Sequence, residues 1–281
     1  MIKISNLCFK YKNGLNIFNN LNLDINEGEF ICFIGKNGSG KSSLMNLISG
    51  ILKPTSGDVL VDDINTKVKK DFINLRKKIG IDFQNPENQL IFNNVYDDIS
   101  FGLNNLNLDD VDSRIDFALK NVSMSEFKNK DTYELSLGQK QRIAIASVLA
   151  VKPKYIVFDE PTTMIDSSGK DDIYNIFKNL KEQGFSIILT TNLIDEILLS
   201  DRIVILDDGC VIADFKKENI FQNLHHFYNN NLKVPEIITI IKKLKENNIN
   251  IPCENFSIEY IIDYLIDVIR GKSKWEIWLS F

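Results

Sequence analysis

The stretch Gly35-Lys36-Asn37-Gly38-Ser39-Gly40-Lys41-Ser42 follows an apolar run, Phe30-Ile31-Cys32-Phe33-Ile34, and precedes Leu44-Met45-Asn46-Leu47-Ile48, whose apolar spacing is helical. Strand, glycine loop and helix in that order fit G-x-x-x-x-G-K-[ST] at every fixed position. Glycines let the backbone turn so that successive N–H groups point inward at phosphate oxygens, and the following helix adds its positive N-terminal end. Lys41 can reach the outer phosphates, and the Ser42 hydroxyl can ligate Mg²⁺. The loop, with Ser43 just inside the helix, therefore reads as a site for a nucleoside triphosphate.

Two further segments carry matching chemistry. Tyr155-Ile156-Val157-Phe158-Asp159-Glu160 is a buried strand pattern ending in two carboxylates. Asp159 is the expected metal-side partner of the loop, and Glu160 can act as general base toward a water in line with the terminal phosphate. Leu135-Ser136-Leu137-Gly138-Gln139-Lys140-Gln141-Arg142 opens a helix. Ser136 and Gln139 have the spacing of a capping box, and a capped N-terminus carrying serine and glycine is a second place for an anion.

Composition narrows the class. With 281 residues, 44% hydrophobic and 25% charged, the chain can bury a substantial core in one large domain or two modest ones. A net charge of −5 argues against a general nucleic-acid partner. The densest basic stretch, Lys67-Val68-Lys69-Lys70 with Arg76-Lys77-Lys78, reads as a solvated face, with lipid headgroup contact as the alternative. Neither a secretory signal nor an apolar run long enough to span a bilayer is visible, so a membrane role must come through a partner. Cys8, Cys32, Cys210 and Cys253 show no metal-like pairing; Cys8 and Cys32 lie in apolar runs and read as buried hydrophobes in a reducing compartment.

In chain order, Ile2 to Asp24 reads as a hairpin around Lys12-Asn13-Gly14. Tyr11, just before the turn, is either surface filler or a flat ring offered to a base. Strands follow at 57–62 and 79–83, with a short helix over 72–78. From Asn85 the strands give way to asparagine-rich loops and helical pieces, a helical insertion over about 85–150. Strand patterns resume at 155–158, 186–189 and 202–206, which predicts an α/β fold with a mostly parallel core sheet. Beyond about Glu218, residues 235–245 and 257–270 have helical apolar spacing, separated by Pro252, and suggest a packing or dimerising appendage. The apolar tail Trp275 to Phe281 reads as a docking segment without a stated target.

The order and spacing of phosphate loop, Gln84, Leu-Ser-x-Gly-Gln and Asp-Glu-Pro resembles the ATP-binding-cassette ATPases over about residues 1–215. The resemblance implies a P-loop fold of that type with an N-terminal antiparallel β subdomain. It places ATP and Mg²⁺ between one chain's phosphate loop and another chain's signature segment. Ser136, Gly138 and Gln139 would contact the partner's γ-phosphate, and Tyr11 would stack on adenine. Gln84 would sense Mg²⁺ and the attacking water while touching a membrane subunit, making Ser42, Gln84 and Asp159 the metal set. Asp166 would fall in the dimer-interface loop. More narrowly, Phe83-Gln84-Asn85-Pro86-Glu87-Asn88-Gln89-Leu90 looks like the glutamine loop of energy-coupling factor transporter ATPases, which drive uptake of vitamins or of cobalt and nickel. Residues 232–265 are similar to their C-terminal extension.

That resemblance implies a cassette domain over 1–217 and an extension over 218–281. It implies a peripheral ATPase on the cytoplasmic face of the membrane, with three kinds of partner: a second ATPase (paralogue or self), a transmembrane coupling subunit and a separate membrane substrate-binding subunit. Another importer ATPase, a soluble cassette ATPase of translation or DNA maintenance, and a nucleotide-gated subunit of low activity are the alternatives.

The sequence departs from the family at two places. Leu137 stands where glycine is usual. Asn192, after the strand ending near Leu189, occupies the place of a histidine that contacts the γ-phosphate. The chain has only two histidines, His225 and His226, expected in a polar connection. Together with Glu160 and Gln84, Asn192 completes the candidate catalytic set. An uncharged amide there either slows hydrolysis, by roughly 30- to 1000-fold for about 2–4 kcal/mol of lost stabilisation, or positions water adequately through its neutral bond.

Overall fold

A computed structural model describes residues 1–247, 249, 251–252, 256 and 258–270. Cys253 and the tail Trp275 to Phe281 lie outside the described residues. The chain divides into two compact units, Met1–Asp214 and Phe215–Phe281.

In the first unit, alternating apolar residues fold β1 (Ile2–Lys10) and β2 (Asn16–Ile25) into an antiparallel hairpin that buries Ile2, Ile4, Leu7, Phe18, Leu21 and Ile25. The turn closes through Tyr11 N–H donating to the Leu15 carbonyl at 2.9 Å, with Gly14 in the left-handed region. β4 (Ser56–Val61) and β5 (Ile64–Asn65) complete this four-stranded sheet in the order β2-β1-β4-β5.

The second sheet holds six strands in the order β10-β9-β3-β8-β7-β6: β3 (Phe30–Ile34), β6 (Ile79–Asp82), β7 (Tyr155–Asp159), β8 (Ser186–Thr190), β9 (Arg202–Asp207) and β10 (Cys210–Lys216). Every residue of β3, β7 and β8 is buried, as expected of parallel strands covered on both faces. β3 pairs in parallel with β8 and β9, β8 with β7, and β7 with β6, so all five run the same way.

Four helices connect these strands: α1 (Lys41–Ile48), α2 (Phe72–Lys78), α5 (Leu137–Ala150) and α6 (Ser167–Glu182). The insertion contributes α3 (Val95–Asn105) and α4 (Val111–Asn121), which bury Ile99, Leu103, Ile115 and Leu119. Within the second unit lie α7 (Leu224–Asn229), α8 (Glu236–Glu246) and α9 (Ile258–Ile269).

Two local expectations change. Cys8 is only half-buried and accepts from Asn20 N–H at 3.3 Å, because its side of β1 is the polar one. The histidines sit on α7 rather than in a loop: burial of Leu224 and Phe227 three residues apart supports a short helix, leaving His225 on its outer side.

Asp62, in the turn after β4, ties the two sheets together. Its carboxylate accepts from the Met1 amino group (2.7 Å), Lys154 (2.8 Å), Tyr155 Oη (2.9 Å) and Lys78 (3.3 Å). Burial works to raise its pKa, but the donors outweigh burial and hold it far below the usual carboxylate range. A depressed carboxylate stabilises the fold above the unfolded-state pKa and loses that contribution as pH falls. Asp62→Asn is therefore expected to cost about 2 kcal/mol at pH 7 in urea unfolding. The gap from wild type should narrow as pH drops below about 4.

Candidate nucleotide site

Adjacent parallel strands deliver their carboxyl ends to one edge, where ligand crevices of open α/β sheets form. β3 runs into the glycine loop, β8 into Thr190 to Asn192, β7 into Asp159 and Glu160, and β6 toward Gln84. A cavity of about 500 Å³ lies there, within the size range of small-molecule sites. Asn37, Gly38, Gly40, Lys41, Ser42 and Ser43 from the loop and α1 line it, facing Gln84, Glu160, Thr163 and Asn192.

The loop's path depends on glycine at two positions. A Cβ on Gly35 would lie 2.1 Å from the Leu206 carbonyl oxygen, so only glycine lets β3 turn beside β9. Gly40 caps α1 with φ of 104°, and a Cβ there would lie 2.9 Å from the Phe18 ring. Lys36 takes part through its backbone, accepting from Ser39 N–H at 3.1 Å. Ser39 Oγ is buried with no hydrogen-bond partner among the described residues. Lys41, 5% exposed, donates through Nζ to the carbonyls of Gly35 (2.8 Å) and Lys36 (3.3 Å). Burial lowers its pKa, while the nearby Glu160 and Asp159 carboxylates oppose that shift.

Opposite the loop, Ser42 Oγ donates to Asp159 Oδ1 at 3.1 Å, and Thr190 Oγ1 donates to the same oxygen at 2.6 Å. Asp159 and Thr190 are register partners across β7 and β8, so the sheet itself sets this contact. Glu160 follows in the left-handed region (φ 52°), a conformation that costs a non-glycine residue about 1–2 kcal/mol. Its N–H donating to the Thr190 carbonyl at 3.0 Å holds the turn. The Glu160 side chain then receives Asn192 Nδ2 on Oε1 at 2.6 Å, and Gln84 Nε2 (3.3 Å) and Thr163 Oγ1 (3.4 Å) on Oε2. Burial raises its pKa above the ordinary carboxylate value, with Asp159 adding to the rise; Lys41, Thr163 and Asn192 pull the other way. The arrangement can hold phosphates on one wall and place a carboxylate base on the other.

Other predicted site residues stand apart from this cavity. Ser136 caps α5 in a full capping box: its Oγ accepts from Gln139 N–H at 3.3 Å, and its own N–H donates to Gln139 Oε1 at 2.9 Å. Gly138 follows, where a Cβ would make only van der Waals contact with Ile165, at 3.9 Å. None of the three lines the cavity. Asp166 caps α6, accepting from Gly169 N–H at 2.8 Å. Tyr11 packs edge-on against Phe9 (4.8 Å) and shares a hydrogen bond of 2.9 Å with Ser43 Oγ, while Leu15 and Ile17 form the apolar wall of the cavity.

Thr190, Thr163, Leu15 and Ile17 carry no signal of their own in the sequence. Only register across β7 and β8 exposes Thr190. Leu15 and Ile17 are near in sequence to Tyr11, and that proximity within one hairpin is the signal that points to them.

Comparison with known proteins agrees with this geometry. Residues 18–163 match the ABC transporter family. The chain is 42% identical to the energy-coupling factor transporter ATP-binding protein EcfA1 of Ligilactobacillus salivarius, over 94% of this chain and 95% of that one. It is 39% identical to EcfA2 of Clostridium acetobutylicum, over 97% and 99%. Among solved structures, cbiO1 of Clostridium perfringens, described as part of the ABC transporter complex cbiONQ, superposes with a TM-score of 0.73 at 36% identity, covering 86% of this chain and 98% of that one. A dimeric ATP-binding cassette in a post-hydrolysis state with ADP and Pi gives 0.69 at 33% identity, over 77% and 98%. With phosphate loop, paired carboxylates and glutamine loop gathered at one sheet edge, the chain belongs to the ATP-binding proteins of ABC transporters, alongside those of energy-coupling factor transporters.

Proposed function

We propose that this chain is the ATP-binding and ATP-hydrolysing subunit that powers an uptake transporter of energy-coupling factor type, for a vitamin or a transition metal. One observation carries the reading: Lys41, Ser42, Asp159 and Glu160 surround one cavity in a chain whose relatives are named as ATP-binding proteins of such transporters. Gly35 to Ser43 bind the phosphates, and Leu15, Ile17 and Tyr11 flank the base. Ser42 and Asp159 offer a hydroxyl and a carboxylate oxygen 3.1 Å apart, hard ligands that suit Mg²⁺, with Gln84 nearby. Mg²⁺ held there would supply positive charge to offset that of the phosphates. Glu160 accepts the proton of the attacking water, and its raised pKa favours that transfer near neutral pH.

The chain forms half of a composite site. Ser136, Gly138 and Gln139 lie outside its own cavity, and we assign them to the nucleotide of a second ATPase; a related cassette is described as dimeric. No helix of the described residues is long and apolar enough to cross a membrane, and we place the chain peripherally on the cytoplasmic face. There it would work with a transmembrane coupling subunit and a separate substrate-binding membrane subunit. Beside the glutamine loop, Ile91 (72% exposed), Phe92 and Phe101 form an outward apolar edge, with the two rings 5.0 Å apart. Asp98 fixes that edge by accepting from the N–H groups of Ile91 (2.7 Å) and Phe92 (3.0 Å). We assign this edge to the coupling subunit. The second unit, with Ile258, Ile262 and Ile266 exposed at four-residue spacing on α9, is assigned to packing or dimerisation.

Lys41→Ala in the assembled complex should weaken ATP binding at least about tenfold and abolish ATP-driven uptake in vesicles; uptake at the wild-type rate would overturn the reading. Glu160→Gln should keep ATP affinity within about threefold and slow its hydrolysis on this chain about 100-fold or more, measured with labelled ATP. Replacing Phe92 and Phe101 by serine should leave ATP binding intact and lower recovery of the membrane subunits in co-purification.

A further inference from the structure

Glu196 sits on a short 3₁₀ turn, Ile194–Leu199, just past β8, and is only 1% exposed. No lysine or arginine pairs with it among the described residues. Its Oε1 accepts from two hydroxyls, Thr162 Oγ1 and, from α6, Tyr174 Oη at 2.9 Å. Its Oε2 is buried with no hydrogen-bond partner among the described residues. Thr162 is itself fully buried. Burial, and after it the Glu196 charge, push the Tyr174 hydroxyl well above its ordinary pKa, so it stays a donor.

A buried carboxylate with one oxygen left without a donor costs stability. What it provides is position. Thr162 belongs to the turn after β7, next to Thr163, whose Oγ1 donates to Glu160 Oε2 at 3.4 Å. Glu196 belongs to the turn after β8, which begins beside Asn192, whose Nδ2 donates to Glu160 Oε1 at 2.6 Å. That second turn is braced along its length. Glu196 N–H donates to the Leu193 carbonyl at 3.1 Å, Leu193 N–H to Thr191 Oγ1 at 2.8 Å, and Thr191 N–H to the Phe33 carbonyl on β3 at 3.2 Å. Two of the three side chains that touch the Glu160 carboxylate thus ride on the two turns that Glu196 joins; the third, Gln84, comes from the end of β6. Glu160 holds a left-handed backbone (φ 52°), a conformation that persists only where its surroundings over-determine it.

We propose that Glu196 is a positioning residue for hydrolysis: by clamping Thr162 and Tyr174 it fixes the spacing of Thr163 and Asn192, and so the aim of the Glu160 carboxylate. Glu196 does not line the cavity and touches no phosphate group's partner there, so it acts through the turns alone. The base must meet its water within hydrogen-bond reach, and a small displacement of that oxygen slows proton transfer without loosening the phosphates, which the glycine loop and Lys41 hold. The proposal rests on the ATPase reading and adds to it a residue that the sequence motifs do not mark.

The test follows ATP on this chain's own loop in the full complex. ATP with a photoreactive base is cross-linked to the chain at set times after Mg²⁺ is added, and the ADP fraction is read. Thr162→Val, which removes the donor at nearly constant volume, and Glu196→Leu should each slow hydrolysis about tenfold or more, with ATP affinity within about threefold of wild type. The double variant should be no more than about twofold slower than the slower single, since both break the same link. Thr162→Ser keeps the hydroxyl and Glu196→Gln keeps an acceptor oxygen; both should hold the rate within about threefold of wild type. Where Glu196→Leu does not fold, the two Thr162 variants decide. Hydrolysis within about twofold of wild type in Thr162→Val, even with a lowered Tm, would show a merely structural contact and overturn the proposal. So would a loss of ATP affinity that matches the loss of rate. A wild type that neither binds nor hydrolyses ATP would overturn the ATPase reading, and the proposal with it.

Discussion

The pairing of Asp159 with Thr190 across two adjacent parallel strands is the constraint on which the rest of the site depends. Both residues are buried, and both strands are buried along their whole length, so neither can slide without exposing a core face. The register places Asp159 Oδ1 where Ser42 Oγ meets it from the other side of the cavity. It also sets the Thr190 carbonyl to receive Glu160 N–H, which turns Glu160 into its left-handed conformation. The strain at Glu160 is thus carried by the sheet and directs a carboxylate toward the phosphate wall.

On the proposed reading, the same geometry leaves the site to be completed by a second chain. The phosphate loop and the acidic wall come from β3, β7 and β8, while the capped end of α5 does not line this cavity. Between them runs the glutamine loop, tied to α5 at several points. Gln141 Nε2 donates to buried Asp82 Oδ2 at 2.7 Å, Gln89 Nε2 to the Ala144 carbonyl at 3.0 Å, and Lys140 pairs with Glu87 at 2.7 Å. Gln84 on that loop contacts Glu160. Glu160 is therefore linked through this loop to α5 and to the exposed edge around Phe92.

Much of the site is legible in the sequence because its chemistry is local. The phosphate loop, the capping box of Ser136 and Gln139, and the strand ending in Asp159 and Glu160 are each contained within a few consecutive residues. The mostly parallel sheet follows from apolar runs separated by helical spacing. What stays hidden depends on distant pairing: Thr190 against Asp159, 31 residues away, and Asp62 against Lys154, 92 residues away. Asp62 has only a turn residue's signature, and its role depends on β4 and β7 meeting. Cys8 departs from expectation because an apolar neighbourhood in sequence does not say which face of an edge hairpin is polar. Tyr11 shows the same limit: its hydroxyl meets Ser43, a contact set by how the hairpin folds over α1.

The cavity at these strand ends is, on this reading, one half of an ATP site completed by another chain. The most direct measurement is a high-resolution structure of the assembled complex with Mg²⁺ and a non-hydrolysable ATP analogue. The γ-phosphate on this chain's loop should be contacted by Lys41 and by the signature segment of the second ATPase. Ser136 of this chain should contact the other nucleotide. A closed complex in which the nucleotide touches only this chain, or in which Ser136 faces solvent, would contradict the composite site.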